Sequence, residues 1–393
     1  MKIAIIGAGI QGSCLALSLA NQGIKSTLID KSIPMQAASL RNEGKIHLGF
    51  VYALDNNGST RELMLKGALH FAPLIEKWCG KINWQEFVSG EFNYAVMPDS
   101  LASIHQIEKS YSELQSMLNS YRDLDLHYMG KHLSYFWKKN IDLTSSPIIN
   151  GQKISDFYKT EEVSVDPRLF SKFICERLLI NNLITIKNNT FVKSIKQKSN
   201  FELSIIDNNR QSLIEADIVV NCAWEDREKL DNYIGITNDN TNYRVKHQIL
   251  VKPKLDFQHL EPVTMVLGPY GDLVPWKDGL VYISWYPEGR TYFGSTPPQE
   301  LENKALALEV AIKSLKVMEE MFPILKGSSI ISSLPGVILA KGKADVDKKE
   351  SALHTRNLIG VSDYKGWISI DTGKFTTAPF FAEEAKNLIL EYV

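Results

Sequence analysis

Cysteine is scarce in this chain and poorly spaced for either of its usual structural uses. Cys14, Cys79, Cys175 and Cys222 are the only four in 393 residues. None forms a CxxC pair and no Cys/His cluster has zinc spacing, which argues against a zinc site and leaves no metal motif. Each sits in or beside an apolar run, as buried free thiols do in a reducing compartment. Charge of one sign is also lacking: 44 Lys and Arg against 45 Asp and Glu give a net charge of −1, so no bulk charge recruits nucleic acid or an anionic membrane. No stretch approaches the roughly twenty apolar residues of a membrane helix. Only a few apolar residues separate Met1-Lys2 from Gly7, too few for a signal peptide. A cytoplasmic protein is expected. Repeats and low-complexity linkers are missing as well. The chain exceeds the roughly 250–300 residues one core supports, so about two domains are expected, interleaved rather than strung in series.

What is present begins at once. Residues 2–6 (KIAII) form a short apolar run ending at glycine, the pattern of a buried parallel strand. Residues 10–22 have helical spacing, with Ile10, Cys14 and Leu17 on one line, and Gly23 stops them. Residues 26–30 (STLID) are a second strand ending in an acid. Met64, Ala68, Phe71, Ile75 and Trp78 predict an amphipathic helix over 60–79, kinked at Pro73. A further helix is expected near 101–119. Asp166-Pro167 is a helix start, with Asp at N-cap and Pro at N1, followed by Leu169, Phe173, Cys175 and Leu178. Strand patterns occur at 184–187, 191–197, 201–206 and 216–221, and a meander at 246–252, 262–267, 272–276 and 279–285. Leu308, Ile312, Leu315 and Met318 mark the face of a helix over 303–321. A last strand (357–361), a glycine-bearing segment and a helix from about 377 to 391 close the chain.

Gly7-Ala8-Gly9-Ile10-Gln11-Gly12 is G-x-G-x-x-G, placed after a strand and opening a helix. Gly7 permits the tight turn, Gly9 lets backbone approach a pyrophosphate, and Gly12 lets helix and strand pack closely. The helix N-terminus offers free N–H groups and the positive end of its dipole to phosphates. Asp30, followed by Lys31, lies eighteen residues after Gly12, where an acid hydrogen-bonds ribose hydroxyls. A carboxylate there disfavours the 2′-phosphate of NADP.

The glycines do not choose between dinucleotides, but the next segment favours FAD. Residues 38–53 hold small residues, Asn42, Gly44 and His47, a donor-rich loop suited to a ligand running past the second strand. Here the chain resembles the D-amino-acid oxidase and glycine oxidase superfamily of flavoproteins, over four stretches that span nearly all of it. These are GAGIQG with Asp30; Ala38-Ser39 through Asn42, Gly44 and His47; Glu162-Val163-Ser164-Val165-Asp166-Pro167; and Gly366 through Pro379, similar to the family's glycine-threonine turn before its last helix. Phe191-Val192 matches the family's adenine contact, and Ile218–Ala223 its apolar strand ending in small residues.

The resemblance implies FAD and an α/β fold: a Rossmann-like FAD-binding domain (1–80 with 155–240 and 330–393) interleaved with a mixed, mainly antiparallel α+β substrate domain (81–154 with 241–329). It implies cofactor contacts at Gly7, Gly9, Ile10, Gln11, Gly12, Asp30, Lys31, Ser39, Arg41, Asn42, Gly44, Lys45, His47, Val192, Cys222, Ala223, Gly373, Lys374, Phe375, Thr376 and Thr377. Gly373–Thr377 lead into a helix whose first N–H groups can face the flavin's N1–C2=O edge, where negative charge gathers on reduction. The sequence departs from the family in having Asp30 where Glu is common. A charged stretch, Lys341–Glu350, replaces an arginine- and proline-rich approach to the last strand, and no Arg/Tyr pair that would hold a substrate carboxylate can be assigned. These departures bear on the substrate more than on FAD.

Membership implies oxidation of a C–N bond in an amine or amino-acid-like small molecule by hydride transfer to flavin N5, with the protein contributing position and electrostatics. His47 is the titratable candidate beside the flavin: it can tune the ring, act on substrate, attach covalently, or be structural. Lys45 and Lys374 can place positive charge near the flavin. Arg244, Lys246, His247 and Gln248 precede an apolar strand. Tyr282, Trp285, Tyr286, Arg290 and Tyr292 form an aromatic set that can wall a pocket, with Arg290 or Arg244 holding an anion; sheet packing is the alternative. Two other functions fit the same motifs: a hydroxylase-type flavin enzyme, disfavoured by the single fingerprint, and a flavoprotein that uses FAD structurally. The electron acceptor, oxygen or another, and the oligomeric state are open at this stage.

Overall fold

A computed structural model describes residues 1–121, 126–139, 154–237, 240–254, 260–356 and 358–392. Parts of the 81–154 segment, and Asn357 at the head of the expected 357–361 strand, lie outside the described residues.

The first strand, Ile3–Ile6, is buried along its length and pairs in parallel with Ser26–Ile29 on one side and Ile218–Asn221 on the other. Ile184–Lys187 extends this sheet past Ser26–Ile29, and Trp367–Asp371 extends it past Ile218–Asn221, both in parallel. Gly360–Tyr364 closes the edge antiparallel, which makes six strands among the described residues. The helix Ile10–Asn21 matches the helical spacing of residues 10–22, and every residue from Ile10 to Ala20 is buried. It is sandwiched between the sheet and two more helices, Ser59–Cys79 and Ala378–Leu390, so it has no solvent face. On the other face of the sheet, the antiparallel strands Thr190–Gln197, Phe201–Asp207 and Arg210–Ala216 cover Ile29, Val219 and Trp367.

The second layer is a mixed sheet of nine strands among the described residues. Its spine is Thr241–Lys252, paired over nearly its whole length with Ser329–Lys341 and also with Val281–Trp285 and Arg290–Gly294. Gly271–Pro275, Val263–Val266, Asn93–Val96 and Asp156–Thr160 continue it. Asp156–Thr160 and Ser329–Lys341 pair with this sheet, although these residues, all but Ser329, fall in segments that the sequence groups with the nucleotide-binding part. A two-stranded pair, Lys45–Ile46 with Val163–Ser164, links the layers.

Helix ends follow the local chemistry. Ser103 and Gln106 form a capping box before Ile104–Asn119, and Asp166 caps Pro167–Leu179. Two helix faces differ from the periodic reading. In Lys304–Met321 the buried line is Val310, Ala311, Leu315 and Met318, while Leu308 and Ile312 are 54% exposed. In Pro167–Leu179 it is Phe170, Ile174 and Leu178, with Leu169 exposed. A short stretch rich in apolar residues supports two helical stripes about 100° apart per residue, and the packed sheet chooses between them. Among the described residues, no helix is long and apolar enough to cross a membrane, the four cysteines are free, and no cluster of His, Cys, Asp or Glu could hold a metal ion.

Candidate active site

Between the two layers runs a cleft that encloses 1670 Å³ of space, open solvent at its mouth included. It starts at the C-terminal ends of the parallel strands, the usual ligand position of an open α/β sheet. There Gly7 has φ +98°, and a Cβ on Gly12 would lie 1.9 Å from the Gly7 carbonyl oxygen. The turn therefore exists only with glycine at both places. Asp30 Oδ2 accepts the Ala8 N–H at 2.6 Å while Oδ1 accepts the Ser32 N–H at 2.7 Å, so the acid at the end of the second strand braces the turn. The Ser39 hydroxyl accepts the Ile10 N–H at 2.8 Å, tying the next segment to the helix start.

Seventeen of the twenty-one expected cofactor residues line this one cleft: Gly7, Gly9, Ile10, Gln11, Asp30, Lys31, Ser39, Arg41, Asn42, Lys45, His47, Val192, Cys222, Ala223, Gly373, Lys374 and Phe375. The other four build its frame. Gly12 packs beneath the first turn, and Gly44 accepts the Val165 N–H through its carbonyl. Thr376 Oγ1 accepts the His47 N–H at 2.8 Å and donates to the Lys45 carbonyl at 3.1 Å; Thr377 Oγ1 donates to the Thr372 carbonyl at 2.6 Å. The first fifty residues and the last twenty are thus joined at the cleft by side chains to backbone.

Four cations meet at the inner end: Lys45, Lys246, Lys374 and Arg356. The Lys45 ammonium donates to Thr264 Oγ1 and, at 3.0 Å, to Asp272 Oδ1, and lies 4.2 Å from the centre of the Phe92 ring. Lys246 Nζ is 3.7 Å from Asp272 Oδ2. Burial first, then Arg356, pushes the Lys374 ammonium down to about 8, against the pull of Glu43. Asp272, despite its burial, is held well below the usual carboxylate range by Lys45 and Lys246. His47 is buried, and burial together with Lys374, Lys45 and Arg356 holds its imidazole well below the ordinary value, so it is neutral. Behind it, away from the cleft lining, Glu162 accepts the Leu48 N–H at 2.6 Å and the Tyr94 hydroxyl. Burial raises this carboxyl to about 7. Four cations against Glu43, Asp272 and a partly protonated Glu162 leave positive charge in excess.

Arg244 and Arg290, the two arginines considered for an anionic substrate, are not among the lining residues. Arg244 is fully buried and bonds Asp345 Oδ1 through Nε at 2.6 Å and the Ala344 carbonyl through Nη2 at 2.8 Å. Arg290 pairs with the same carboxylate. Tyr286 also donates to Asp345, at 2.7 Å, so these residues fasten the 344–346 segment to the sheet. Tyr282 does line the cleft, as do His247 and Gln248. Burial lowers His247 to about 4. The residue that sequence patterning missed is Arg356. It sits in a coil segment with no periodicity, its backbone N–H donates to Thr60 Oγ1 and its guanidinium to the Leu339 carbonyl.

The cleft also carries polar atoms in search of a partner. Gln11 Nε2, Arg41 Nε and Gln248 Oε1 are buried without a hydrogen bond, and all three residues line the cleft. Unsatisfied buried groups cost about 1–3 kcal/mol each, and a polar ligand lying along the cleft would relieve several at once. The family model for FAD dependent oxidoreductases (DAO) matches residues 2–383. The chain belongs to this family. It is an FAD-dependent oxidoreductase, and its cofactor is FAD.

Solved structures agree in fold. Glycine oxidase from Geobacillus kaustophilus superposes with a TM-score of 0.72 at 13% identity, covering 99% of this chain and 94% of that one. L-amino acid deaminase from Proteus vulgaris gives 0.73 at 14%, covering 99% and 93%. Dithionite-reduced L-alpha-glycerophosphate oxidase from Mycoplasma pneumoniae, with FAD bound, gives 0.69 at 18%, covering 99% and 94%. No curated protein matches the sequence of this oxidoreductase.

Proposed function

We propose that this oxidoreductase oxidises the C–N bond of a small anionic amine of the amino-acid type. The observation that carries this reading is the surplus of buried positive charge around a neutral His47 at the inner end of the cleft. Lys45, Lys246, Lys374 and Arg356 would hold a carboxylate by charge-assisted hydrogen bonds. The same cations would favour negative charge developing on a neighbouring ring. Gly7, Gly9, Ile10 and Gln11 would take the pyrophosphate, Asp30 the ribose, and Val192, Cys222 and Ala223 the adenosine end. Ser39 through Lys45 and Gly373 through Phe375 would flank the ring. When bound, FAD supplies the two-electron acceptor that takes a hydride at N5.

What the chain itself contributes is position and proton placement. The cations fix the anionic end of the substrate, which sets which carbon faces the acceptor. Depressed by burial and its cationic neighbours, His47 is free of a proton on one nitrogen at neutral pH. A second reading, oxidation of a C–O bond in a small hydroxy acid, is favoured by that neutral imidazole, since a hydroxyl must give up its proton when its carbon is oxidised. The fold likeness to a glycerophosphate oxidase fits this second reading.

Anaerobic titration of the yellow holoprotein decides between them. Small anionic amines are expected to bleach the flavin; bleaching by the matched hydroxy acids alone selects the second reading. Bleaching by NADH and by neither anion class would select hydroxylase-type chemistry. A flavin untouched by any of these, and by dithionite, would mean a structural role.

A further inference from the structure

We propose that Glu162 is a positioning residue that fixes the tautomer of His47, making Nε2 the proton acceptor for the heteroatom at which the substrate is oxidised. The inference rests on the oxidative reading above and adds the route of the proton.

Three observations meet here. His47 lines the cleft, yet its Nδ1 is buried and has no hydrogen bond. The nearest carboxylate oxygen, Glu162 Oε1, is 3.7 Å from that nitrogen. Glu162 is itself fully buried on the side of the ring away from the cleft, anchored by the Leu48 N–H at 2.6 Å and by the Tyr94 hydroxyl. Neither anchor is the substrate, so the carboxyl is held in place whether or not the cleft is filled.

Above pH 7, where Glu162 is ionised, a lone pair on Nδ1 would face the carboxylate's lone pairs at 3.7 Å in a site with little solvent to screen them. An N–H there would be attracted instead. The proton therefore belongs on Nδ1, and the free lone pair on Nε2, the ring nitrogen left for the cleft. The surroundings keep the ring from taking a second proton in the resting state: Lys45, Lys374 and Arg356 all oppose it, and Tyr52, edge-on at 6.1 Å, brings no charge. Once the substrate's carboxylate lies among those cations, their opposition weakens, and the Glu162 carboxylate stabilises the imidazolium that forms. The acceptor is thus weak before the anion arrives and stronger after it.

In the step itself, the N⁺–H or O–H bond of the substrate breaks and its proton goes to Nε2. The electron pair stays on the heteroatom and becomes the second bond of C=N or C=O. The C–H hydrogen leaves with its own pair to the two-electron acceptor that FAD provides. A primary ammonium or hydroxyl is served equally, so the proposal does not depend on which class of anion is oxidised.

The test is the tautomer of His47 in the holoprotein with no substrate added. Histidine ¹⁵N correlation spectra at pH 8 should show a neutral ring protonated at Nδ1, assigned by loss of the signal in His47→Gln. In Glu162→Gln the amide can still accept the Leu48 N–H, but its NH₂ must donate towards Nδ1, so the proton should move to Nε2. The same variant should keep its FAD and lose 10²-fold or more in kcat with little change in KM, the usual worth of a proton-transfer group. A ring protonated at Nε2 in the wild type, or an unchanged tautomer and kcat in Glu162→Gln, overturns the proposal. If Glu162→Gln fails to fold, Tyr94→Phe keeps the carboxyl and frees one of its oxygens; a wild-type Nδ1 signal that neither shifts nor sharpens there also counts against it. Should no anion reduce the flavin while the tautomer is as stated, the functional reading fails and the positioning of His47 by Glu162 stands.

Discussion

Replacing Lys374 with methionine removes one of the four cations at the inner end of the cleft and keeps most of the side-chain volume. Lys374 retains some accessible surface, but that surface faces the cleft rather than bulk solvent. Burial and the neighbouring Arg356 lower its ammonium from 10.5 to about 8. A displacement of that size, at 1.36 kcal/mol per unit, corresponds to at most about 3 kcal/mol of differential interaction. The sign follows from proton counting. Between pH 8 and 10.5 the unfolded chain keeps the Lys374 proton and the folded chain has shed it, so stability rises with pH across that window. Below pH 8 both states are charged, and the folded state bears the full cost.

Urea unfolding of flavin-stripped protein at pH 7 and pH 10 measures this directly. The wild type should gain up to about 3 kcal/mol more between those pH values than Lys374→Met does, because other groups titrate in both proteins and cancel in the difference. At pH 7 the variant should be the more stable of the two. In the presence of an anion that occupies the cleft the order should reverse, with the variant binding at least tenfold more weakly. Equal pH slopes in the two stripped proteins, or a variant less stable at pH 7, would refute the reasoning.

Four other outcomes follow from the same geometry. Gly12→Ala places a methyl 1.9 Å from the Gly7 carbonyl oxygen and should yield protein purified without flavin, read from the ratio of yellow to protein absorbance. Arg244→Met strips one partner from buried Asp345 and should cost about 3 kcal/mol in urea unfolding while KM for the reducing anion stays within twofold; a large rise in KM would mean that Arg244 reaches the substrate. Asp30→Ala frees the Ala8 N–H and should weaken FAD binding about tenfold, equivalent to one hydrogen bond of about 1.4 kcal/mol. Acid precipitation should leave a yellow supernatant over a colourless pellet, since a His47 joined to the flavin through Nε2 could not take the substrate's proton at that nitrogen.

Much of the nucleotide end was legible in the residues themselves. Gly7, Gly12 and Asp30 have roles set by local backbone geometry, and a strand, a turn and a helix within thirty residues carry all the information. The terminal site stretch was legible only through family likeness, because a glycine-threonine turn before a helix is by itself an ordinary cap. Trp367–Asp371 was not read as a strand: Ser369 and Asp371 break its apolar run, and Ser369 finds a partner in Asp231, far away in sequence. The long strand Ser329–Lys341 escaped for a similar reason, since Pro335 and Gly336 interrupt it and only the pairing with Thr241–Lys252 sustains it. Arg356 lies in a coil and reaches the cleft by tertiary placement. Arg244 and Arg290 look like anion binders until their shared carboxylate, about fifty to a hundred residues downstream, is known. Charge partners at such separations leave no periodic trace in a single sequence.

The junction made by Thr376 has a consequence for how the protein is made. Its hydroxyl holds the backbone of Lys45 and His47, and the strand Trp367–Asp371 lies between Ile218–Asn221 and the sheet edge. A chain still emerging from the ribosome can complete neither until residues 367–376 have been synthesised and released from the exit tunnel. The nucleotide turn at Gly7 forms early by local contacts, whereas the ring end of the cleft must wait. Tight cofactor capture therefore waits for that segment, and a ligand that binds only the finished fold draws the strand Trp367–Asp371 into place by mass action. In cells short of flavin, the C-terminal strand and helix should be the first parts exposed to proteases.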